Sequence, residues 1–228
     1  MAILKQGILG GFTNKVGTVV GYIWNGLDVI RGYVIPRNPN TTEQANQRGR
    51  FRSASTFASG IYSSSLIKHY WNLVKGASKT AYAAIMKANI MQSGLTAITE
   101  YCQVLPAVTE LWTLANINVT ETVVTATVPI LSNIREIPAE GVDVEFENII
   151  VYSDPVEPGY PAQVVTSVTK NVASYNFAAT YSLSTALNEP QKTAGTQYQR
   201  KTVWIVASVN DADGNRLFAF KDLAGVVL

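Results

Sequence analysis

The pattern of apolar and polar positions divides the chain into a glycine-rich beginning, a helical middle and a long region of alternating residues. In residues 1–35, valines and isoleucines are set among seven glycines. Glycine lets backbones approach closely, whereas β-branched residues favour extended chain. We therefore predict a β-arm in which Asn25-Gly26 forms the turn of a hairpin, between strands near 16–24 and 27–35.

Apolar residues at helical spacing follow the arm. The Thr41 to Gln44 spacing is typical of a capping box and comes after two prolines, so a first helix is expected to begin there. We expect Gly60 and the serines after it to interrupt this helix. A second helix is predicted to end at Gly76, and a third to begin at Ser78. The middle of the chain therefore predicts three short helices with aromatic faces.

From about residue 98 the pattern has a period of two. Short β-branched or alternating segments are separated by turns rich in Pro, Gly, Asp and Asn, which predicts an immunoglobulin-like antiparallel β-sandwich. The segments are 120–128, 144–152, 162–172, 174–182, 202–210 and 217–221. The predicted fold class is α+β and mostly β. Residues 1–97 would form a glycine-rich β-arm and helical assembly region, and residues 98–228 the sandwich.

The chain carries few charges. Charged residues make up 15% of the sequence, against roughly 25% in a typical soluble domain. A net charge of +2 leaves no strong field that would attract nucleic acid or an anionic membrane. We therefore expect partners chosen by shape and hydrogen bonding, namely copies of the chain or other structural subunits, and no nucleic acid.

The sequence also bears on where the protein works. Its first residues lack the basic and long apolar regions of a secretory signal, and no run approaches the roughly 18 apolar residues of a membrane-spanning helix. We expect synthesis in the cytoplasm, no membrane span, and a final location in a virion or an extracellular assembly. Since Cys102 is the single cysteine, no internal disulfide is possible.

Candidate catalytic residues are few. His69 is the only histidine and is interpreted as a surface or interface residue. Cys102 lacks a glycine-rich nucleophile elbow and is interpreted as a small buried side chain. Asp143, Glu145 and Glu147 alternate along one strand face, which we interpret as solvated, because a glycosidase needs carboxylates that converge across a cleft. We predict no catalytic residues and no enzyme activity.

Metal and cofactor motifs are equally weak. Residues 211–215 resemble the start of a calcium loop, but Asp222 stands where the closing glutamate belongs, so a hairpin turn is the preferred interpretation. Residues 7–11 are glycine-rich without the Lys-Ser/Thr ending of a phosphate-binding loop. We therefore predict no metal and no cofactor.

Specific motifs occupy the N-terminal part of the chain. They are Gln6-Gly7-Ile8-Leu9-Gly10-Gly11-Phe12, Lys15-Val16-Gly17-Thr18-Val19-Val20-Gly21, Trp24-Asn25-Gly26, Ile30-Arg31, and Asn38-Pro39-Asn40-Thr41 with Gln44, Gln47-Arg48 and Phe51. Over residues 3–75 they resemble an uncharacterised family widespread in Bacteroidota, a domain of unknown function that begins with a glycine-rich arm. The arm and helices are also similar to those of proteins encoded near phage structural genes. The resemblance implies particle architecture rather than a particular activity.

These observations predict a structural subunit of a phage-like particle, such as a tail, neck or head-associated protein. It would assemble through its arm and helices, because an extended apolar arm with little side-chain volume needs a partner surface. The predicted interface residues are Gly7, Gly10, Gly11, Val16, Gly17, Val20, Gly21, Trp24, Arg31, Arg48, Phe51 and Trp71.

Two alternatives stay open at this point. The chain could be a subunit of a bacterial surface or extracellular filament, which follows the same assembly logic with open instead of closed symmetry. It could also be a carbohydrate- or surface-binding module that uses exposed aromatic side chains, for which the candidates are Tyr152, Tyr160 and Tyr198.

Overall fold

A computed structural model describes the backbone of residues 2–3 and the full residues 14–35, 40–76 and 80–228. The chain is mostly β with a few helices, and its strands form several sheets. It divides into two compact units, an N-terminal unit of residues 1–41 and a C-terminal unit of residues 42–228.

The N-terminal unit contains a four-stranded antiparallel sheet. Its strands are β1 (Ala2–Ile3), β2 (Asn14–Val16), β3 (Val19–Trp24) and β4 (Leu27–Gly32). They lie in the order β1-β4-β3-β2. Asn25 and Gly26 join β3 to β4 with φ angles of 48° and 77°, the positive values that a two-residue hairpin turn needs. The predicted hairpin is confirmed.

Three helices open the C-terminal unit, as predicted. They are α1 (Thr42–Tyr62), α2 (Ser65–Val74) and α3 (Ala81–Asn89). The interruption expected at Gly60 and the serines after it occurs at the serines alone: α1 continues through Gly60 to Tyr62, and α2 begins at Ser65. A Cβ at Gly60 would lie 2.4 Å from Val165 Cβ, so this glycine allows close packing. Thr80 caps α3 through its side chain, and Ser78 lies outside the described residues.

The remaining strands form a large and a small sheet. They are β5 (Glu110–Leu111), β6 (Ala115–Val119), β7 (Val123–Val128), β8 (Asp143–Pro155), β9 (Gln163–Val172), β10 (Tyr181–Ala186), β11 (Tyr198–Asn210), β12 (Arg216–Lys221) and β13 (Val226–Val227). The small sheet has the order β10-β7-β6, and the large sheet the order β5-β12-β11-β8-β9, with β13 also paired to β11. All pairs are antiparallel except that of β5 with β12.

Two local predictions in this region are wrong. The segment predicted as a strand over 174–182 is mostly a loop, and β10 begins only at Tyr181. The connection between the predicted strands 174–182 and 202–210, expected to be a turn over 188–195, is instead a helix, α4 (Glu189–Gln197). Asn188 and Gln191 form a complete capping box at its start, with both hydrogen bonds at 3.0 Å. This capping signal was present in the sequence.

The large sheet is buried on both faces. Along β8, Phe146 and Ile150 belong to a core shared with the small sheet, whereas Ile149 and Val151 belong to a core shared with the helices. Successive strand residues point to opposite faces, so the C-terminal unit consists of a helical layer, the large sheet and the small sheet. The division predicted at residues 97 and 98 therefore lies inside this compact unit.

Candidate assembly surface

The N-terminal sheet exposes large apolar side chains on both faces. On one face, Trp24 lies opposite Leu27 at the turn end of the hairpin, and the Trp24 side chain is 57% exposed. On the other face, Ile23 lies opposite Asp28 and is 61% exposed. Among residues 14–35, only Gly21 and Val29 are buried. The sheet therefore has little apolar interior of its own.

The ends of the hairpin continue this apolar character. Val16, at the end of β2, is exposed, and Val34 and Ile35 directly after β4 are each 75% exposed. Gly17 adopts a φ of 62° in the turn between β2 and β3, a conformation that favours glycine. Apart from its two neighbours in the chain, no described residue has an atom within 4 Å of the position that a Cβ would take there. The positive φ of the turn therefore accounts for a glycine at this position.

Two cations lie over aromatic rings in the same unit. The Lys15 ammonium lies 3.8 Å from the centroid of the Tyr33 ring, and the Arg31 guanidinium 5.6 Å from that of Tyr22. Such contacts hold a cation against an apolar surface without a carboxylate partner. They place Lys15 and Arg31 beside aromatic side chains of the unit.

Sequence reasoning missed several of these exposed residues, among them Ile23, Leu27, Val34 and Ile35. A signal was available, because adjacent strand residues point to opposite faces. Ile23 and Trp24 are adjacent, so both faces of β3 carry a large apolar side chain. The predicted residues Val16, Val20, Gly21, Trp24 and Arg31 lie in the strands of this sheet, and Gly17 lies in the turn between β2 and β3. Gly7, Gly10 and Gly11 lie outside the described residues.

The first turns of α1 carry a second candidate surface. Residues 42–48 and 50–52 of this helix are exposed, including the Phe51 side chain. Arg48 and Phe51 both line a concave surface of about 550 Å³ along the helix. The structure thus brings these two predicted interface residues together within the C-terminal unit.

Trp71 is not an interface residue, contrary to the prediction. Its side chain is 5% exposed, and its indole Nε1 donates a hydrogen bond of 2.7 Å to the Val104 carbonyl. It belongs to the core between the helices and the large sheet. The aromatic face of α2 is covered by the chain itself, which leaves this side chain unavailable to a partner.

The interpretation of the acidic row on β8 as a solvated face is wrong. Glu147 is only 2% exposed, and the Ser64 hydroxyl at the start of α2 donates a hydrogen bond to its carboxylate. Burial raises the pKa of Glu147 above its usual value. Glu145 pairs with Arg216 at 2.9 Å. The helical layer covers this face, so the row joins α2 to the sheet.

Three other titratable side chains, those of Cys102, His69 and Asp222, have pKa values shifted mainly by burial. Cys102 is buried, as interpreted from the sequence, and burial raises the pKa of its thiol. His69 is half-buried with its ring edge-on to Tyr70, and burial, followed by the charge of Arg216, lowers its pKa. Burial also raises the pKa of Asp222 to about 7. These shifts follow mainly from burial in this fold.

The aromatic residues proposed for carbohydrate binding are mostly internal. Tyr152 and Tyr198 are buried in the core between the two sheets, so they are wrong as exposed candidates. Tyr160 is 38% exposed and contacts the Tyr198 ring at a centroid distance of 6.3 Å. One of the three tyrosines therefore reaches the surface.

Residues 211–215 form the turn of the β11–β12 hairpin, which confirms that interpretation. The Asp211 carboxylate accepts hydrogen bonds from the backbone N–H groups of Asp213 and Asn215, at 2.9 and 2.7 Å. Within residues 14–35, 40–76 and 80–228, the structure contains no cluster of three or more His, Cys, Asp or Glu side chains able to hold a metal ion.

Among the helices that the structure describes, none has the length and apolar character required to cross a bilayer.

Comparison with known protein families identifies a match in the first two thirds of the chain. Residues 10–152 match a family described as "Family of unknown function (DUF6266)". The match begins before β2 and ends within β8, so it includes the hairpin and all three helices of the helical layer. No curated protein and no solved structure matches the chain significantly. Because the matched residues make up more than half of the sequence, the chain belongs to this family of unknown function.

Proposed function

We propose that this protein is a non-enzymatic structural subunit of a phage-like particle, in a tail, neck or head-associated position, and that it assembles through its N-terminal sheet and the exposed start of α1. The observation that carries the proposal is the N-terminal sheet, in which Ile23 and Trp24 expose large apolar side chains on opposite faces.

Energetic reasoning supports a partner for this sheet. Fully burying one large apolar side chain contributes about 1.5–3 kcal/mol, and small isolated sheets are marginal without a covered face. In the single chain most of this stabilisation is not gained, because four large apolar side chains stay exposed, those of Ile23, Trp24, Val34 and Ile35. Covering them with a neighbouring subunit would stabilise both the sheet and the assembly.

The state of the candidate catalytic groups supports a non-enzymatic role. A nucleophilic cysteine needs a lowered pKa and access to substrate, whereas Cys102 is buried and its pKa is raised. Glu147 is hydrogen bonded to Ser64 beneath the helices, where its carboxylate serves the contact between layers. His69 lies against Tyr70.

The strand order supports an immunoglobulin-like description of the two packed sheets. In that topology, strands A, B and E pair in one sheet, and C, F and G pair in the other, with C′ added beside C. Reading β6, β7 and β10 as A, B and E, and β8, β9, β11 and β12 as C, C′, F and G, reproduces both orders. We therefore propose an immunoglobulin-like sandwich whose C′-C-F-G sheet is covered by helices on its outer face.

A phage-like particle is favoured over the alternatives by the N-terminal motifs, which are similar to those of proteins encoded near phage structural genes. The location would then be a virion or another extracellular assembly, with copies of the chain or other structural subunits as partners. A filament subunit would use the same apolar sheet. Closed rings in negative-stain images support a virion part, whereas open helical stacks support a filament.

Light scattering coupled to size-exclusion chromatography tests the assembly. We expect the full chain to form oligomers, and residues 42–228, which contain both large apolar cores, to be a folded monomer. The double substitution Ile23→Ser/Trp24→Ser should also abolish oligomers. Val34→Ser/Ile35→Ser should weaken them without altering any strand, since both residues lie outside β4.

The matched control is Leu73→Ser, which removes a comparably exposed apolar side chain from α2 in the C-terminal unit. It should leave the oligomer intact. A full chain that stays monomeric at all concentrations, or a residue 42–228 fragment that keeps the oligomeric mass, would overturn the proposed role of the sheet.

A further inference from the structure

A groove of about 380 Å³ lies between α1 and the connection from β8 to β9. Its lining includes Arg52 and Thr56 from α1, Thr96 from the loop after α3, and Tyr160 and Gln163 from the β8–β9 side. This volume falls within the range of small-molecule binding sites. All of these residues belong to the C-terminal unit.

Buried hydrogen bonds fix the walls of the groove. Gln163 is 5% exposed, and its Nε2 donates to the Ser53 carbonyl at 2.7 Å, while its Oε1 accepts from the Ile98 N–H at 2.9 Å. One amide side chain thus joins α1, the loop containing Thr96 and the start of β9. A groove held in this way needs little reordering to bind a ligand.

The aromatic wall is also held in place. The Tyr160 ring packs against Tyr198 at a centroid distance of 6.3 Å. The Tyr198 hydroxyl in turn donates a hydrogen bond of 2.9 Å to the Pro161 carbonyl. The buried tyrosine therefore positions the exposed one, so that part of the Tyr160 ring lies open at the groove.

Arg52 supplies the charge. The side chain is exposed, and in the part of the chain that the structure describes it forms no ion pair or hydrogen bond with another side chain. A guanidinium offers up to five donors in a planar fork that suits a carboxylate. Together the groove presents an aromatic ring, threonine hydroxyls and a cation with no acidic partner.

We propose that this groove binds a saccharide that carries a carboxylate, of the uronic acid type. The apolar face of the sugar ring would stack on Tyr160, its carboxylate would pair with Arg52, and its hydroxyls would exchange hydrogen bonds with Thr56 and Thr96. The proposal does not rest on the assembly role, because no groove residue lies in the N-terminal sheet. Arg52 does lie in the exposed start of α1, so a subunit packed there would compete with the saccharide for this side chain. A structural subunit with such a site could attach to an acidic glycan surface.

Nuclear magnetic resonance titration of the full chain tests the site with two matched ligands. Methyl β-D-glucuronide and methyl β-D-glucoside differ only in the carboxylate, so the glucuronide should bind at least about tenfold more tightly, the effect of one charge-assisted pair. Sugar ring protons should receive saturation transfer from the protein in the glucuronide complex. Acetate, which carries the charge without the ring, should bind at least about tenfold more weakly than the glucuronide.

Variants locate the binding. Arg52→Gln should remove the preference for the glucuronide, and Tyr160→Ala should weaken binding of the sugar by about tenfold. The matched controls are Arg50→Gln, an exposed arginine of the same helix outside the groove lining, and Tyr101→Ala, an exposed tyrosine elsewhere. Both controls should bind like the parent protein, and circular dichroism checks that all four variants fold.

Three results would overturn the proposal. The first is no binding of the glucuronide by the full chain at millimolar concentration. The second is equal binding of glucuronide and acetate, which would reduce the groove to a simple anion site. The third is binding that survives both groove substitutions in folded protein, which would place the saccharide elsewhere.

Discussion

The two units of the chain differ in where their large apolar side chains lie. In the C-terminal unit, apolar side chains from the helices and both sheets fill two extended cores, and the large sheet is covered on both faces. In the N-terminal unit, Val29 is the only large apolar side chain of residues 14–35 that is buried. A self-sufficient core and an exposed apolar sheet thus occur in one chain, and this contrast is the basis of the proposal that a partner covers the sheet.

The largest expected difference in stability between the two units comes from replacing one tryptophan in each. Trp71→Ala removes a buried indole and its hydrogen bond to Val104, and should lower the free energy of unfolding by about 3–5 kcal/mol. Trp24→Ala removes an exposed indole and should change the stability of the C-terminal unit by less than about 0.5 kcal/mol while weakening oligomers. Urea unfolding and light scattering measure the two effects. Comparable losses of stability in both variants would contradict the contrast between the units.

Replacing one glycine in each unit compares how closely the two units are packed. Gly60→Ala would place a Cβ 2.4 Å from Val165 Cβ, and should destabilise the protein by about 1–3 kcal/mol, since overpacking exceeds the gain in helix propensity. Gly32→Ala in β4 meets no atom within 4 Å among the described residues beyond its chain neighbours, and should change stability by less than about 0.5 kcal/mol. Thermal unfolding of both variants checks this. Stabilisation by Gly60→Ala would show that the contact between α1 and β9 is looser than the structure has it.

The buried Glu147 carboxyl predicts how the stability of the protein depends on pH. Its pKa is raised by burial in the folded protein, so the folded state binds the proton more tightly than the unfolded state does. Stability should therefore fall as pH rises from the ordinary glutamate pKa through the raised one. Glu147→Gln should remove this loss and be more stable than the parent at the upper end of the range. Urea unfolding from pH 4 to 8 measures the difference.

Asp222, with its pKa raised to about 7 by burial, adds a loss of stability over the same range in both proteins, so only the difference between parent and variant reports on Glu147. Glu121→Gln is the control, because Glu121 is exposed between β6 and β7. A parallel pH profile for Glu147→Gln and the parent would contradict a raised pKa for the buried Glu147 carboxyl.

The smallest expected effect concerns a local contact at the surface of the C-terminal unit. Asn188→Ala removes one half of the capping box of α4, and should cost about 1 kcal/mol. Thr193→Ala within the same helix loses a bond to the Glu189 carbonyl but gains helix propensity, so it should be nearly neutral. Thermal unfolding compares them. A cost for Asn188→Ala that approaches that of Trp71→Ala would mean that the cap matters as much as the core.

Local signals in the sequence predicted much of the secondary structure. Asn25-Gly26 specified the hairpin because both positions need positive φ, and apolar spacing specified three helices. The glycine at position 60 was misread, because its reason lies in Val165, more than a hundred residues away in the sequence. For the candidate surface, the sequence predicted the sheet but not which of its side chains are exposed. For Trp71, the sequence predicted an interface residue, whereas the structure buries the side chain in the core.

The sequence by itself determined the hairpin, the helices and the β-rich second half, because turn chemistry and residue periodicity act between near neighbours. The tertiary structure alone decided that Glu147 is buried and Trp24 exposed, because burial depends on which layer covers a face. From the sequence alone, the acidic face of β8 is interpreted as solvated, although residues 149–152 of this strand form an uninterrupted apolar run, a pattern typical of a strand buried on both sides. The layer that covers each side comes from residues distant along the chain, and only packing brings them together.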